Sequence, residues 1–408
     1  MTVLLTIFGA FGVLFGVYFI ITSLGGFVSG RQYRLPEAAP TARIAAVIPA
    51  RNEAAVVPQL VASLLDQRYP RTLFDVYVAP NNCDDDTEAA ALRAGAKILK
   101  VKGPITRKGD VLKQAFAQLS ATGRYDAYCV FDADNVAHPD FFSNVNRAFC
   151  AGYDAAQGFR DSKNPFDSWV SGGTTVFYWF MSRCFNESRA RLGLNCHLNG
   201  TGFMVTDALV RKLGWDTHTL TEDLEFTGLC ALNDARIGWM PEARVYDEQP
   251  IKFRDSAIQR RRWTAGSLQC TRRYSPALLR KGTPRSLDIG LLFLGNLMNY
   301  VGLCSAVLSV WRFWPLLQSS LPALLAFGIA YVAGMWLACA AGALILVRME
   351  HRLCREALPT ILLFALFILS WMPINIYACL TPPPRWRMIG HTRSLSISDI
   401  DANRGPHE

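Results

Sequence analysis

The sequence predicts an α/β domain with a parallel, doubly wound sheet, flanked on both sides by segments that can cross a membrane. Short apolar runs alternate with helical patterns from residue 42 to residue 131, at the spacing of strand–helix–strand units. The charged residues are concentrated between residues 31 and 288, and the long segments outside this range carry almost no charge. These two observations separate a polar, folded domain from apolar segments before and after it.

The strands and helices of this domain are predicted in a regular order. Four short apolar runs predict buried strands, at residues 42–48, 76–79, 98–101 and 127–131. Three helical patterns lie between them, at residues 54–66, 87–94 and 108–119. In such sheets ligands bind beyond the carboxyl ends of the strands, so we expect the binding site there.

Polar side chains follow three of the four predicted strands. They are Arg51, Asn52 and Glu53 after the first strand, Asn81 and Asn82 after the second, and Asp132 and Asp134 after the fourth. The carboxyl ends of parallel strands share one edge of the sheet, so this common placement predicts one ligand site.

The triplet Asp132-Ala133-Asp134 is a candidate metal site. At the end of a strand, two carboxylates can hold a hard divalent cation that also takes diphosphate oxygens. The alternative is a turn with solvated carboxylates. The position of the triplet favours the metal interpretation.

Two further motifs each allow two interpretations. Thr221 precedes a helical pattern at 224–232 and can cap it, with Glu222 and Asp223 in the favoured first turn. Alternatively, Asp223 is a general base for an attacking hydroxyl. Residues 199–203, Asn-Gly-Thr-Gly-Phe, form either a tight turn or a close approach of the backbone to a ligand.

Basic residues offer candidate phosphate contacts. Residues 259–263, Gln-Arg-Arg-Arg-Trp, place three arginines beside a tryptophan, which suits phosphate oxygens and a sugar or base ring. Such a run is also typical of a solvated or membrane-facing basic surface. Arg107 and Lys108 either contact phosphate or begin a helix.

Four segments without charged side chains are each long enough to cross a bilayer, which takes roughly 20 apolar residues. They lie at residues 1–30, 289–311, 313–347 and 357–384. The first has no positive region or cleavage site typical of a secretory signal. Arg31, Arg34 and Arg43 follow it, which places the polar domain in the cytoplasm by the positive-inside rule.

The basic loop at 348–355 and the basic tail after residue 385 both favour the cytoplasmic side. Three simple crossings cannot satisfy both. We therefore hypothesise that one carboxyl-terminal segment is interfacial or re-entrant and that the tail is cytosolic.

Charge and cysteine content exclude some classes of partner. The formal net charge of +9 suits membrane lipids of an anionic leaflet and an anionic substrate. No basic stripe with interleaved aromatics is present, so we expect no nucleic acid partner, and nothing signals an oligomeric state. The eleven cysteines form no Cys-x-x-Cys pair, which predicts reduced thiols and no zinc site.

Together these motifs resemble the membrane-integrated family 2 glycosyltransferases, which include cellulose, hyaluronan, poly-N-acetylglucosamine and chitin-oligosaccharide synthases. The resemblance covers about residues 44–270. The matching motifs occur in family order at residues 47–53, 81–87, 132–134, 200–202, 221–223 and 259–263. The resemblance implies a GT-A fold, a UDP-sugar donor, an Mg²⁺ or Mn²⁺ ion and a glycan or lipid acceptor.

The resemblance also implies a role for each matching residue. Asp134 is the metal ligand and Asp223 the catalytic base. Donor contacts are expected from Pro49, Arg51, Glu53, Asn81, Lys108, Asp132, Arg260 and Arg262. Acceptor contacts are expected from Gly200, Thr201, Gly202, Glu222 and Trp263, with Trp263 beneath the acceptor sugar. Asn81 departs from the family, which usually has an aspartate near the uracil ring at this position.

The implied organisation is a bacterial plasma-membrane protein with several crossings. It has an amino-terminal helix at 1–30, a cytosolic catalytic domain at 31–250, interfacial helices at 251–288, and membrane or interfacial helices at 289–384. In the polar tail at 385–408, Trp386 and Thr392-Arg393 resemble a segment that closes over the donor.

Three functions remain compatible with the sequence. The first is a processive synthase of a β-linked polysaccharide. The second is a non-processive transferase to a lipid acceptor, and the third is a membrane transporter or scaffold with an inactive nucleotide-binding domain. In either enzyme a single displacement would invert the anomeric centre, because no second carboxylate nucleophile is signalled.

Overall fold

The computed structural model describes residues 2–28, 33–384, 393 and 395–402. Its strands form one sheet and are β1 (Ile44–Ala50), β2 (Phe74–Pro80), β3 (Lys97–Ile98), β4 (Ala127–Val130), β5 (Val136–Ala137), β6 (Ala155–Ser162), β7 (Phe203–Thr206) and β8 (Ile237–Asp247). Its helices are α1 (Thr2–Val28), α2 (Val57–Leu65), α3 (Thr87–Arg93), α4 (Lys108–Ala121), α5 (Phe141–Cys150), α6 (Trp169–Phe180), α7 (Glu187–Arg191), α8 (Asp207–Leu213), α9 (Glu222–Leu232), α10 (Phe253–Lys281), α11 (Pro284–Ser319), α12 (Leu321–Met349), α13 (Leu358–Leu369), α14 (Trp371–Leu380) and α15 (Ile397–Ala402). A π-helical segment, Met181–Asn186, joins α6 to α7, and short 3₁₀ turns occupy Arg71–Leu73 and Arg355–Ala357.

The sheet is parallel in one half and mixed in the other. Its strand order is β3-β2-β1-β4-β7-β6-β8-β5. The first four strands are parallel, as predicted. In the second half β7 is antiparallel to both β4 and β6, and β5 is antiparallel to β8. The prediction of a parallel sheet is therefore confirmed for the strands on which it rested, and the strands after residue 131 make the whole sheet mixed.

The local sequence predicts the strands and helices of the first half of the sheet correctly. The predicted strands at 42–48, 76–79 and 127–131 correspond to β1, β2 and β4, and the three predicted helices to α2, α3 and α4. The predicted strand at 98–101 is shorter, as β3. Successive residues of β1 face opposite layers, with Val47 packing against α4 residues such as Phe116 and Ile48 against α2 residues such as Leu60.

The helix after the Thr-Glu-Asp triplet is also present, but its predicted cap is not. Thr221 occupies the position before α9, and its side chain accepts no capping hydrogen bond. Its hydroxyl instead lies 3.8 Å from the Cys270 sulfur on α10. Gly266 of α10 approaches closely, since a Cβ there would come within 2.6 Å of Thr221. Packing against α10 therefore directs the Thr221 side chain away from the helix end.

Three helices in the described part of the chain are long and apolar enough to cross a membrane. They lie at Leu5–Ser23 in α1, at Leu324–Met349 in α12, and at Arg355–Leu380, which comprises α13 and α14. The fourth predicted segment, 289–311, lies within α11, which is not among these helices as judged on the described residues.

A buried ion pair joins α7 to α11, and a tyrosine of α1 forms a hydrogen bond to it. Arg189 donates to both carboxylate oxygens of Asp288, at 2.9 and 3.1 Å, and Tyr18 of α1 donates to the same carboxylate. Both charged side chains are almost completely buried. A charge pair of this kind is strongly destabilising to break, so α7 and α11 are held together and Tyr18 connects α1 to them.

The span Arg355–Leu380 lies against the catalytic domain along its length. Two glycines of α6 allow α13 to approach, because a Cβ at Gly172 would come within 1.9 Å of Thr360 and one at Gly173 within 2.5 Å of Phe367. Just before this span, Glu350 forms ion pairs with Arg183 at 2.7 Å and with Arg244 at 2.9 Å. At its other end, Arg261 of α10 donates to the Thr381 hydroxyl at 2.9 Å and to the Pro382 carbonyl at 3.0 Å. Both ends of the span are thus held by the same domain.

Candidate active site

A cavity of about 760 Å³ lies at the carboxyl ends of the strands, where the sequence places its polar residues. Most of the predicted site residues line it, namely Pro49, Arg51, Glu53, Asn81, Lys108, Asp132, Asp134, Gly200, Glu222, Asp223, Arg262 and Trp263. The structure therefore brings together motifs that are far apart in the sequence. Arg260, Thr201 and Gly202 are the predicted residues that do not line the cavity.

Arg260 of α10 is buried against α13 and α14. Its guanidinium donates to the Ser370 hydroxyl at 2.8 Å, and it lies within 4.6 Å of the Phe367 ring centroid and 5.3 Å of the Trp371 ring centroid. The expected diphosphate contact of Arg260 is therefore wrong for this structure. The reason is helical phase, since residues two apart on α10 point in nearly opposite directions and only Arg262 can face the cavity.

Thr201 and Gly202 shape the backbone behind the cavity wall. The hydroxyl of Thr201 donates to the Asn135 side chain and accepts the backbone N–H of Asp132 at 3.0 Å. Gly202 has φ +60, and a Cβ there would lie 2.4 Å from Val245. The structure thus places these two predicted acceptor residues behind the cavity wall, where they position Asp132 and the sheet.

Lys108 is the central cation of the charged end. Its Nζ donates to Asp132 and to the Gly200 carbonyl, both at 2.5 Å, and lies 3.9 Å from Glu222. Burial works against the ammonium group, but the nearby carboxylates of Asp132 and Glu222 outweigh it and raise the pKa of Lys108. Burial works likewise against the Asp132 carboxylate, yet Lys108 holds the pKa of Asp132 below its usual value. Lys108 and Asp132 therefore form a stable ion pair at the cavity wall.

Glu222 and Asp223 begin α9 and face the same cavity. Asp223 accepts the backbone N–H of Leu224 at 2.8 Å, and a Cβ at Gly200 would lie 3.3 Å from its Oδ2. Burial raises the pKa of Asp223, and it raises the pKa of Glu222 to about 7 despite Lys108. Two adjacent carboxyl groups with raised pKa values are suited to accept a proton from a hydroxyl near neutral pH.

Arg160 and Asp247 are cavity residues that the sequence motifs did not indicate. Arg160 Nε donates to Asp247 at 2.6 Å, Arg160 also donates to the Asn199 carbonyl at 2.8 Å, and its guanidinium lies 4.0 Å from the Tyr178 ring centroid. Burial raises the pKa of Asp247 to about 6. A sequence signal exists in retrospect, since charged residues occur within β6, where every residue is buried.

His197 and Asn199 also line the cavity without having been predicted. The residues next to them, Cys196 and Leu198, are in the core, so alternate residues of this segment face the cavity. The Asn199 amide nitrogen and both ring nitrogens of His197 are fully buried. Burial lowers the pKa of His197 to about 4 although Asn199 beside it acts in the opposite direction, so the imidazole is neutral.

The opposite end of the cavity is apolar and aromatic. Trp263 stacks on Trp371 with centroids 6.2 Å apart and meets the Tyr178 ring edge-on at 6.1 Å. Apolar side chains complete this end, namely Phe177, Met181, Ile258, Ile368, Leu369 and Met372. Three of them belong to the membrane-length span Arg355–Leu380. The cavity thus runs from carboxylates at the sheet to apolar side chains on that span.

The cavity contains hard oxygen donors for a divalent cation. Asp132, Asp134, Glu53, Asp247 and Glu248 line it. No group of three or more His, Cys, Asp or Glu side chains among the described residues is close enough to form a cage around a metal. This fits a cation that is held by one or two carboxylates and completed by phosphate oxygens, as Mg²⁺ usually is.

The predicted closing segment lies largely outside the described residues, since these include neither Trp386 nor Thr392. Arg393 is described. Its backbone N–H donates to Glu248 at 3.1 Å and its guanidinium pairs with Asp167. Ile400 packs against Val136 and Tyr246. The described part of the tail therefore contacts the catalytic domain beside the cavity.

Comparisons with known proteins agree with this geometry. Residues 40–266 match the family described as glycosyltransferase like family 2. A probable glycosyltransferase of Bacillus subtilis, YdaM, is 25% identical over 241 residues, which is 55% of this chain and 55% of that protein. A β-monoglucosyldiacylglycerol synthase of Synechocystis sp. is 26% identical over 291 residues, 68% of this chain and 60% of that protein. The chain thus spans between about half and three fifths of the length of these curated relatives.

Among solved structures, the fold resembles the mannosyltransferase PcManGT from Pyrobaculum calidifontis, which was determined in complex with GDP-Man and Mn²⁺. The TM-score is 0.62 at 16% sequence identity, and the similarity covers 92% of this chain and 98% of the other. At this identity the likeness concerns the fold.

Proposed function

The chain belongs to the family of glycosyltransferases like family 2, with the predicted GT-A fold, and on this premise we propose that it transfers a sugar from a nucleoside-diphosphate donor to a lipid acceptor at a membrane surface. The observation that carries the proposal is the cavity itself. One end presents the charges that a diphosphate requires, and the other end opens onto a membrane-length span.

The donor is proposed to bind at the charged end. Arg262 and Lys108 face the cavity there and suit diphosphate oxygens. Asp134 would hold the Mg²⁺ or Mn²⁺ ion, since its carboxylate is a hard oxygen donor at the cavity wall. When bound, such an ion neutralises negative charge on the leaving diphosphate.

Asp223 is proposed as the general base. It lies in the cavity beside the Gly200 backbone and next to Glu222. Its carboxylate would accept the proton of the acceptor hydroxyl as the oxygen attacks the anomeric carbon and the bond to the diphosphate breaks. Attack from the face opposite the diphosphate inverts the anomeric centre, so an α-linked donor gives a β-linked product.

A lipid acceptor is favoured by the apolar end of the cavity. Ile368, Leu369 and Met372 are part of a span that has exposed apolar residues elsewhere, such as Leu362 and Leu366. A lipid could therefore place its hydroxyl near Asp223 and keep its hydrocarbon part beside this span. The relative from Synechocystis is named for a lipid that carries one glucose. This supports a single addition over the processive synthesis that the Gln-Arg-Arg-Arg-Trp motif suggests.

The span Arg355–Leu380 is proposed to lie in the membrane interface. Glu350 before it, and Thr381 and Pro382 after it, contact the catalytic domain. A simple crossing would place its ends on opposite sides of the bilayer. An interfacial position also satisfies the positive-inside rule for both the basic loop and the tail, with the catalytic domain on the cytosolic side. A bacterial plasma membrane remains the proposed location.

The test is transfer by the purified full chain in lipid nanodiscs that contain diacylglycerol. A panel of radiolabelled UDP-sugars and one GDP-sugar is offered with Mg²⁺ or Mn²⁺, and products are separated by solvent extraction and chromatography. We expect one sugar on an extractable lipid. A long water-soluble product would instead support a processive synthase. Absence of both transfer and nucleotide release with every donor would favour the transporter or scaffold hypothesis.

A further inference from the structure

Lys163 is a buried ammonium group immediately behind the charged end of the cavity. It follows the last residue of β6, is 5% exposed and does not itself line the cavity. Its backbone N–H donates to the Asp247 carbonyl at 2.8 Å, which fixes the start of the side chain. Its Nζ has no hydrogen-bond partner among the described residues. Such a group is unusual, because burying an unpaired charge is costly.

Four carboxylates interact electrostatically with this ammonium group. They are Glu53, Asp134, Asp247 and Glu248, which come from the ends of three different parts of the sheet and all line the cavity. Burial lowers the pKa of Lys163, and these four carboxylates oppose that effect. Arg160, another cation of the cavity wall, is held by Asp247 and the Asn199 carbonyl. The Lys163 ammonium group, in the part of the chain that the structure describes, makes no such hydrogen bond.

The position of Lys163 bears directly on how the cluster binds a divalent cation. A cation that enters alone is attracted by the carboxylates and repelled by the ammonium group. A cation that enters with a nucleoside diphosphate is accompanied by more negative than positive charge, so the net repulsion by Lys163 is replaced by attraction. The sign of the Lys163 contribution thus depends on whether the nucleotide is present.

We propose that Lys163 is a fixed counter-charge that makes divalent cation binding depend on the nucleotide donor. The inference rests on the proposed function, since it assumes that a cation and a nucleoside diphosphate share this cavity. Lys163 would act through the carboxylates and is a positioning residue. By reciprocity, the cation would strengthen nucleotide binding by the same factor.

The experiment measures Mn²⁺ binding to the detergent-solubilised full chain, with and without UDP, from the electron paramagnetic resonance signal of free Mn²⁺. For the wild type we expect UDP to tighten Mn²⁺ binding about tenfold or more, within the range usual for coupled sites. Lys163→Met should bind Mn²⁺ alone about tenfold more tightly than the wild type, and UDP should tighten its Mn²⁺ binding by a correspondingly smaller factor, because only the ligation by phosphate oxygens remains. Lys163→Arg, which keeps the charge, should resemble the wild type.

Lys113→Met is the matched control. Lys113 is exposed and paired with Asp216 outside the cavity, so its removal changes the net charge equally and should leave both affinities unchanged. Lys163→Gln provides a second neutral variant if the methionine variant does not fold.

The outcomes separate this inference from the proposed function. If the wild type binds Mn²⁺ with UDP and the neutral Lys163 variants match it in both affinities, the role of Lys163 is wrong. If Lys163→Arg behaves like Lys163→Met, packing rather than charge is responsible and the inference also fails. If the wild type binds no Mn²⁺ even with UDP, the metal-dependent donor site is itself refuted.

Discussion

The two ends of the cavity use charged residues in opposite ways. At the sheet end, Lys108 faces Asp132 and Arg160 faces Asp247, so charges are paired across the cavity wall and remain available to a ligand. At the membrane end, Arg260 is enclosed by aromatic rings and donates to the Ser370 hydroxyl where α13 meets α14. The charged side chains at the sheet end line the cavity, whereas the guanidinium of Arg260 connects α10 to α13 and α14.

This contrast occurs even within one motif. Arg260 and Arg262 are two residues apart on α10, and only Arg262 lines the cavity. The sequence motif therefore predicts which part of the chain lies at the cavity, and the helical phase determines which of its side chains face the cavity. The comparison predicts that substitutions at the sheet end change donor binding and transfer, whereas substitution of Arg260 changes thermal stability.

The largest effect is expected at Asp223, the proposed general base. Asp223→Asn keeps the size of the side chain but removes the proton acceptor, so the rate of transfer should fall by about 10²–10⁴-fold. Donor binding should stay within about twofold of the wild type. Transfer assays and nucleotide binding by calorimetry measure the two quantities.

Asp216→Asn is a suitable control for Asp223→Asn. Asp216 is an exposed aspartate outside the cavity, so this variant should transfer at the wild-type rate. A rate for Asp223→Asn within tenfold of wild type would refute the general-base assignment.

The next effect is expected at the sheet end, at Asp134. Asp134→Ala removes the proposed metal ligand, so donor binding in the presence of Mn²⁺ should weaken about tenfold or more. Donor binding in EDTA should change little. The assignment fails if the variant retains the full dependence of donor binding on Mn²⁺.

A matched pair on α10 tests the contrast between the ends directly. Arg262→Met should raise the KM for the donor about tenfold, because a charge-assisted hydrogen bond contributes about 1.5–3 kcal/mol. Arg260→Met should leave that KM unchanged and lower the thermal midpoint instead, since the Ser370 hydroxyl and surrounding rings lose their partner. The loss of stability should be about 1–3 kcal/mol.

The donor KM and the thermal midpoint of both variants test whether the two arginines have different roles. If Arg260→Met raises the donor KM as much as Arg262→Met, the motif acts as a unit and the structural division between its arginines is wrong.

The same division explains what the sequence could predict. Strands β1, β2 and β4 are encoded locally by apolar runs, and the polar residues that follow them are brought together by the shared edge of a parallel sheet. Arg260 is buried and Arg262 faces the cavity because α13 and α14 pack on one side of α10. This packing involves residues more than 100 positions further along the chain, so the local sequence does not reveal it. Likewise, Arg160 and Asp247 meet only because β6 and β8 are neighbours in the sheet.

The smallest effect is a pH dependence of stability at Glu222. Burial raises the pKa of Glu222 in the folded protein to about 7, above its ordinary value of 4.5. Between these two pH values the folded state holds a proton that the unfolded state has released. Stability should therefore be greatest below about pH 4.5 as far as Glu222 is concerned, fall as the pH rises towards 7, and change no further above it.

Glu222→Gln isolates this contribution. Glutamine keeps the shape of the side chain and cannot ionise, so the thermal midpoint of the variant should decrease less than that of the wild type between pH 5 and 7. Asp223 acts in the same direction, because burial raises its pKa as well, so some dependence on pH should persist in the variant. Glu88→Gln, at an exposed ion pair far from the cavity, should retain the wild-type profile. If Glu222→Gln and the wild type gave identical profiles, Glu222 would already be ionised in the folded protein, and the charged end would carry one more negative charge than proposed.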